Sequence, residues 1–341
     1  MAPSPAVLAD YVVPPRSAPV KAIRIHAPGD AGVLSWEDVD VPRPAPGQAL
    51  LRIEAVGVNF VEIYQRTGLY QVPLPFTPGS EAAGTVEAVG SGVTLVQPGD
   101  RVGSVNVLGA YAEYALAAAD RLVPLPDRVS TRQAAAVLLQ GITAQYLTTS
   151  TYPLQKGDTC LVHAAAGGVG LLLCQMAKRR GARVIGTVST REKVALAREA
   201  GADDVILYTE TDLAAEVKRL TGERGLQVNY DSVGRTTFHK GLDLLAPRGM
   251  MVLFGQSSGP VEPFNPQVLN SKGSLYLTRP SLGHYILTRA ELLERSADVL
   301  GRVADGSLML RIDRELPLAQ AADAQRALES RGTTGKLLLV P

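Results

Sequence analysis

Cysteine is almost absent from this chain, with only Cys160 and Cys174 in 341 residues. Both stand in apolar runs rather than at the spacing of a disulfide framework or a thiolate metal site, so a fold without covalent staples and a reducing, cytoplasmic setting are expected. Histidine is scarce as well: four residues scattered over different segments form no ligand cluster and no catalytic triad. Nor is there an excess of charge of one sign. Thirty-four Lys and Arg face 33 Asp and Glu, a formal net charge of +1, and the two signs are interspersed. No broad field therefore steers the chain towards nucleic acid or an anionic membrane, and small-molecule chemistry is the better starting point. No apolar stretch approaches the roughly 18 uninterrupted residues of a membrane span. The first residues have no basic start and carry Asp10 inside their only apolar run, unlike a secretory signal. Residues 1–19 read as a loosely held arm.

What is present is a hydrophobic fraction of 46% with 33 Gly and 23 Pro, the composition of a turn-rich globular protein. The length suits two domains. Up to about residue 126, short runs rich in Val, Ile and Ala, such as 49–58, 81–89 and 110–117, are separated by Gly90-Ser91-Gly92 and Pro98-Gly99-Asp100. That punctuation predicts a compact β barrel or sandwich with little helix. After about residue 140, strand-like runs at 159–164, 183–188, 205–208, 227–231, 250–254 and 274–278 alternate with helical patterns. Continuous apolar strands alternating with helices predict a parallel, doubly wound α/β domain. A helix opened by the capping box Thr288 to Glu291, a second over 319–330 and a strand over 336–340 close the chain, and they are expected to return to the first domain. The expected division is 20–142 with 281–341, and 143–280.

The decisive local pattern is His163-Ala164-Ala165-Ala166-Gly167-Gly168-Val169-Gly170, after a strand and before a helix on which Val169, Leu172, Leu173 and Met176 share one face. Residues 165, 167 and 170 take the three places of the dinucleotide fingerprint G-x-G-x-x-G, with Ala165 in the first. Gly167 would let the backbone approach a pyrophosphate and Gly170 would let helix and strand pack closely. The helix N-terminus, from Ala166 to Gly170, would offer N–H groups and the positive end of its dipole. Without its context the pattern reads equally well as an ordinary tight turn.

About twenty residues later, where an acid would grip the ribose hydroxyl of NAD, stand Ser189-Thr190-Arg191-Glu192-Lys193. Hydroxyls and two cations at the strand tip suit a 2′-phosphate and point to NADPH. The same residues also read as a helix cap at Ser189 or Thr190 followed by solvent-facing charges, and both readings can hold together. Tyr152 and Lys156 match the Tyr-x-x-x-Lys pair of short-chain dehydrogenases. Pro153 and Gly157, however, deny the pair a common helix face. His163 reads as packing or a cofactor neighbour in preference to a base.

The order of a β-rich domain, a nucleotide domain and a returning tail is similar to that of the medium-chain dehydrogenase/reductase family. Five segments narrow the likeness: Gly57-Val58-Asn59-Phe60 with Tyr64 and Gly68-Leu69-Tyr70; Gly79-Ser80-Glu81-Ala82-Ala83-Gly84; the 163–170 loop; Tyr230-Asp231-Ser232-Val233-Gly234; and Lys272-Gly273-Ser274-Leu275-Tyr276. In these the chain resembles the zinc-free quinone oxidoreductase (zeta-crystallin-like) branch, over nearly everything after residue 20. The resemblance implies a GroES-like β-rich catalytic domain joined to a Rossmann domain that binds NADPH. The Cys and His ligands of zinc-dependent relatives are missing around Asn59 and Ser80-Glu81. A lone Glu81 cannot build a four-coordinate site and reads equally as a buried acid paired with Arg66 or Arg101.

Carried over by position, the resemblance implies that Asn59 and Tyr64 flank the nicotinamide and that Thr143 touches it. Lys193, with Ser189 beside it, would hold the 2′-phosphate and Tyr208 would meet the adenine. Ser232, Phe254 and Gly255 would supply the later loops, Leu277, Thr278 and Arg279 the edge facing the carboxamide, and Arg331 a late phosphate contact. It further implies a homodimer through the strand at 274–278. The expected reaction is metal-free reduction of a quinone by hydride or single-electron transfer, with Tyr64 or Tyr70 as a hydrogen-bond donor or Tyr70 as a wall of the pocket. The alternatives are reduction of an α,β-unsaturated ketone or aldehyde, and, of another class, a non-enzymatic crystallin-like or RNA-binding role. The neutral charge weighs against the last.

Overall fold

A computed structural model describes residues 18–341. All but the last two residues of the expected arm, 1–19, lie outside the described residues. The chain divides into two units. One holds the residues up to Ala136 with Arg314–Leu328 and Leu337–Pro341, and the other holds Val137–Asp313 with Glu329–Lys336.

In the first unit, β1 (Val20–Arg24) and β2 (Ser35–Val39) form an antiparallel ribbon. The remaining early strands are β3 (Gln48–Gly57), β4 (Glu81–Val89), β5 (Arg101–Ser104), β6 (Tyr114–Ala118) and β7 (Val123–Pro124). They pair antiparallel as β3 with β4 and β6, β4 with β5, and β5 with β7. Their apolar positions, among them Leu51, Ile53, Val56, Ala82, Val86, Val102 and Leu122, make the core of this unit. The expected β-rich first domain is present. The helix α1 (Phe60–Arg66) interrupts it, and apolar periodicity does not reveal so short an element. A local device starts it instead. The Asn59 N–H donates to Glu62 Oε2 at 2.7 Å, one arm of a capping box. The helix α2 (Thr131–Tyr146) leads into the second unit and ends in a π-helical turn, Leu147–Thr151.

The second unit is built on β8 (Thr159–Val162), β9 (Arg183–Val188), β10 (Asp204–Leu207), β11 (Leu226–Asp231), β12 (Leu245–Leu253) and β13 (Tyr276–Thr278). Their order in the sheet is β10-β9-β8-β11-β12-β13, and every pairing is parallel. The connecting helices are α3 (Gly168–Arg179), α4 (Arg191–Glu199), α5 (Leu213–Thr221), α6 (Phe238–Leu242) and α7 (Gln267–Ser271). Leu161, Ile185, Val228 and Val252 are buried, as covered parallel strands require. The direction of winding reverses between β8 and β11. In an open doubly wound sheet, ligands are met at the carboxyl ends of the strands on either side of that reversal.

The helix α8 (Arg289–Ala304) starts on the expected capping box, with the Glu291 N–H donating to Thr288 Oγ1 at 3.2 Å and the Thr288 N–H to Glu291 Oε2 at 3.1 Å. Its unit differs from expectation. The expected first domain takes 20–142 and 281–341, yet residues 137–142, 281–313 and 329–336 fall in the second unit. Side-chain packing explains the difference. Tyr285 stacks on Tyr146 of α2, with centroids 4.0 Å apart and planes 9° apart. Arg295 donates to Gln145 Oε1 at 2.6 Å and to the Tyr285 carbonyl at 2.8 Å. In the tail, β14 (Ile312–Pro317) and β15 (Lys336–Val340), on either side of α9 (Ala321–Glu329), complete the seven-stranded sheet that holds β3, ordered β14-β15-β3-β4-β5-β7 with β6 on β3.

Candidate active site

The loop between β8 and α3 lies at the reversal of the parallel sheet and is tied down on three sides. The His163 N–H donates to the Tyr230 carbonyl (3.1 Å), the Ala165 N–H to the Thr187 carbonyl (3.0 Å), and the Gly167 N–H to the Ala164 carbonyl (2.8 Å). The first i→i+4 bond of α3 runs from the Leu171 N–H to the Gly167 carbonyl (2.9 Å). The N–H groups of Gly168, Val169 and Gly170 precede it and therefore have no intrahelical acceptor. They are the donors that a pyrophosphate needs.

Close approach explains the residue choice. A Cβ on Gly170 would stand 2.2 Å from the Ala164 carbonyl oxygen and 2.8 Å from Ala165 Cα, so only glycine permits this helix start. Across the loop, a Cβ on Gly186 of β9 would stand 2.8 Å from the Ala165 methyl. The fingerprint's departure at Ala165 is thereby accommodated: the residue with φ of +51° is Ala164, one place earlier, and Gly186 leaves room for the extra methyl. The loop is further clasped from the tail of the chain, where the Gly335 N–H donates to the Ala166 carbonyl at 3.1 Å.

His163 sits beneath this loop, 3% exposed, with Nδ1 3.2 Å from Thr187 Oγ1 and Nε2 without a partner. Burial pushes its pKa below the ordinary imidazole value, against a smaller upward pull from Asp231. A histidine whose folded pKa is depressed adds stability that is complete above its unfolded pKa of about 6.5 and is lost as pH falls towards the folded value. The unfolding free energy of the wild type, from urea titrations, should thus drop between about pH 7.5 and about pH 5.5 more than that of His163→Gln, by at most ~1.4 kcal/mol per pH unit for one proton. Parallel pH profiles of the two proteins would remove His163 as the cause.

At the tip of β9, Thr190 caps α4 with extended backbone. Lys193 Nζ donates to the carbonyl of Arg331, a residue held at φ of +60°. The bond measures 2.6 Å, and no carboxylate pairs with this ammonium within 4 Å among the described residues. Burial lowers the Lys193 pKa, with Asp313 opposing. Arg191, by contrast, is already engaged in a fork-on-fork pair with Glu210 at 3.0 and 2.9 Å. The Thr209 hydroxyl donates to the Ser189 carbonyl at 3.1 Å, so the loops after β9 and β10 are joined, with Tyr208 42% exposed between them.

After β11, the carboxylate of Asp231 accepts from the N–H groups of Val233 (2.7 Å) and Gly234 (3.0 Å) and from Thr237 Oγ1 (2.7 Å). The Phe254 and Gly255 N–H groups donate to its carbonyl at 2.8 and 3.3 Å. Ser232, Phe254 and Gly255 are thereby fixed at the carboxyl ends of β11 and β12. Leu277 and Thr278 lie on β13, with Arg279 directly beyond it. Thr143 lies on α2 and donates to the Leu139 carbonyl at 2.7 Å. All of the expected cofactor residues from Thr143 onward therefore belong to one unit.

Asn59, Tyr64 and Tyr70 belong to the other unit. The Asn59 Nδ2 group donates to the Gly57 carbonyl (3.0 Å) and to Glu81 Oε2 (2.9 Å). Its amide hydrogens thus serve the protein's own acceptors. Glu81 is fully buried and takes this bond. Tyr64 and Tyr70 meet edge to face, centroids 5.3 Å apart, and the Tyr70 N–H donates to the Tyr64 carbonyl at 2.9 Å. Tyr152 and Lys156 share no helix, since the π turn ends at Thr151. Burial and Asp158 push the Tyr152 phenol up to about 12, the wrong direction for a proton donor near neutrality. No group of three or more His, Cys, Asp or Glu side chains among the described residues could hold a metal ion, and no helix among them is long and apolar enough to cross a membrane.

Known proteins share this architecture. Residues 45–127 match the alcohol dehydrogenase GroES-like domain and residues 168–294 match the zinc-binding dehydrogenase domain. A quinone oxidoreductase of Pseudomonas aeruginosa is 46% identical over 323 residues, 94% of this chain and 99% of that protein. The crystal structure of Escherichia coli quinone oxidoreductase complexed with NADPH superposes with a TM-score of 0.92 at 45% identity, covering 94% of this chain and all of that one. A 2-haloacrylate reductase from a Burkholderia species is 41% identical over 94% of this chain and 99% of its own length.

Proposed function

Because the chain belongs to the quinone oxidoreductase family of the medium-chain dehydrogenases/reductases, we propose that it reduces quinones with NADPH and without a metal. The observation that carries this reading is the glycine-dependent loop at the sheet reversal, followed in the first turn of the next helix by a lysine held by a neutral carbonyl. Bound NADPH supplies a hydride. The chain's part is to grip the two ends of that cofactor and to present a flat acceptor to it.

In this reading the N–H groups from Gly168 to Gly170 take the pyrophosphate, with Ala166 and Gly167 shaping the approach. Lys193 and Ser189 take the 2′-phosphate, and Arg331 acts through its carbonyl, which orients the lysine. Tyr208 faces the adenine, and Thr143, Ser232, Phe254, Gly255 and residues 277–279 contribute to the nicotinamide half. Asn59 is assigned to fixing the start of α1, and through it Tyr64, since its amide hydrogens are engaged. Hydrogen-bond donation to a developing quinone oxyanion then falls to the phenols of Tyr64 or Tyr70.

The rival reading, reduction of an activated carbon–carbon double bond, is favoured by the 2-haloacrylate reductase among the relatives. Hydride delivery to a β-carbon needs the same cofactor grip. Following NADPH absorbance with simple quinones and with small enones separates the two: faster turnover of quinones is expected, and a clear preference for the enone would reverse the assignment. We also propose a homodimer formed along β13, the last strand of its sheet, which exposes Tyr276 (57%). Light scattering should give twice the 36.0 kDa chain mass, and a monomer at micromolar concentration would dismiss it.

A further inference from the structure

Arg191 was expected to serve the 2′-phosphate with Lys193, but its guanidinium is occupied by Glu210. The pair joins the first residue of α4 to the loop after β10, and the Thr209 hydroxyl binds the Ser189 carbonyl beside it. It therefore spans the rim on which Ser189 and Tyr208 stand. A guanidinium fork donates to a carboxylate or a phosphate in the same two-point geometry. Two anions thus have a claim on one cation. Lys193 is placed differently: a neutral carbonyl holds it, and Asp313 acts on it only at longer range.

We infer that Glu210 is a specificity-determining residue, which sets the affinity for the adenosine 2′-phosphate by competing with it for Arg191. The inference rests on the reading of the chain as NADPH-dependent. With Glu210 in place, Lys193 is the constant phosphate ligand and Arg191 is a conditional one. The phosphate gains the arginine only by displacing the carboxylate. A cofactor without the 2′-phosphate leaves the Arg191–Glu210 pair closed and is indifferent to it.

Titration calorimetry of the full chain with adenosine 2′,5′-bisphosphate and with 5′-AMP tests this directly. Glu210→Gln keeps the size of the side chain at an exposed position and should bind the bisphosphate about three- to tenfold more tightly, with 5′-AMP unchanged. The gain should vanish in the double variant Arg191→Gln/Glu210→Gln. Unchanged or weaker bisphosphate binding by Glu210→Gln overturns the inference, as does an equal gain for 5′-AMP. A gain that persists in the double variant also overturns it, because the carboxylate would then be acting by general repulsion and not by withholding Arg191. A wild type that binds the bisphosphate no better than 5′-AMP overturns the NADPH reading itself, and the inference with it.

Discussion

Gly170→Ala should weaken NADPH binding on the order of a hundredfold while leaving most of the fold in place. The added methyl would lie 2.2 Å from the Ala164 carbonyl and 2.8 Å from Ala165 Cα, and both are backbone atoms that cannot rotate away. Either the loop lifts or the first turn of α3 unwinds, and in both cases the N–H groups of residues 168–170 are redirected. Overpacking of this kind costs about 1–3 kcal/mol of stability. Misplacing the binding groups by about an ångström is worth on the order of a hundredfold in function. Calorimetry with NADPH should show that loss, while the far-UV circular dichroism is retained and the melting temperature falls by a few degrees. Wild-type affinity in this variant would mean that the loop is not the cofactor's phosphate site.

The same loop shows why part of the site was legible in the sequence and part was not. A strand, a glycine pattern and an amphipathic helix are consecutive, so their meaning is local. Arg183–Val188 and Lys336–Val340 coincide with the sequence reading for the same reason. What allows Ala165 to replace a glycine is Gly186, twenty-one residues away on the neighbouring strand, and no local pattern announces that contact. The position of α8 was likewise hidden: its capping box marks where the helix begins but says nothing of the Tyr146–Tyr285 stack that decides its unit. Asn59 was recognised as a site residue, yet the engagement of its amide by Gly57 and Glu81 depends on a strand pairing twenty-two residues on. Charges were the least legible. Arg191 and Lys193 look equivalent in the sequence, and only the folded loops give one a carboxylate and the other a carbonyl.

Because of that difference, the larger effect on cofactor choice is expected at Lys193. Lys193→Glu should weaken NADPH binding by between about tenfold and a hundredfold, since a hydrogen bond to a charged group is worth about 1.5–3 kcal/mol and the reversed charge adds repulsion. NADH binding should change little, because the pyrophosphate donors of α3 and the nicotinamide half are untouched. The Arg331 carbonyl sharpens the contrast: it orients an ammonium, but it accepts nothing from a carboxylate and would turn the new side chain away. Lys193→Ala should fall between the two, losing the attraction without the repulsion. Measuring the dissociation constants of both cofactors for the three proteins gives the ratio directly. If NADPH and NADH weaken together, Lys193 supports the loop in general and the discrimination must be sought at Ser189 and the Arg191–Glu210 pair.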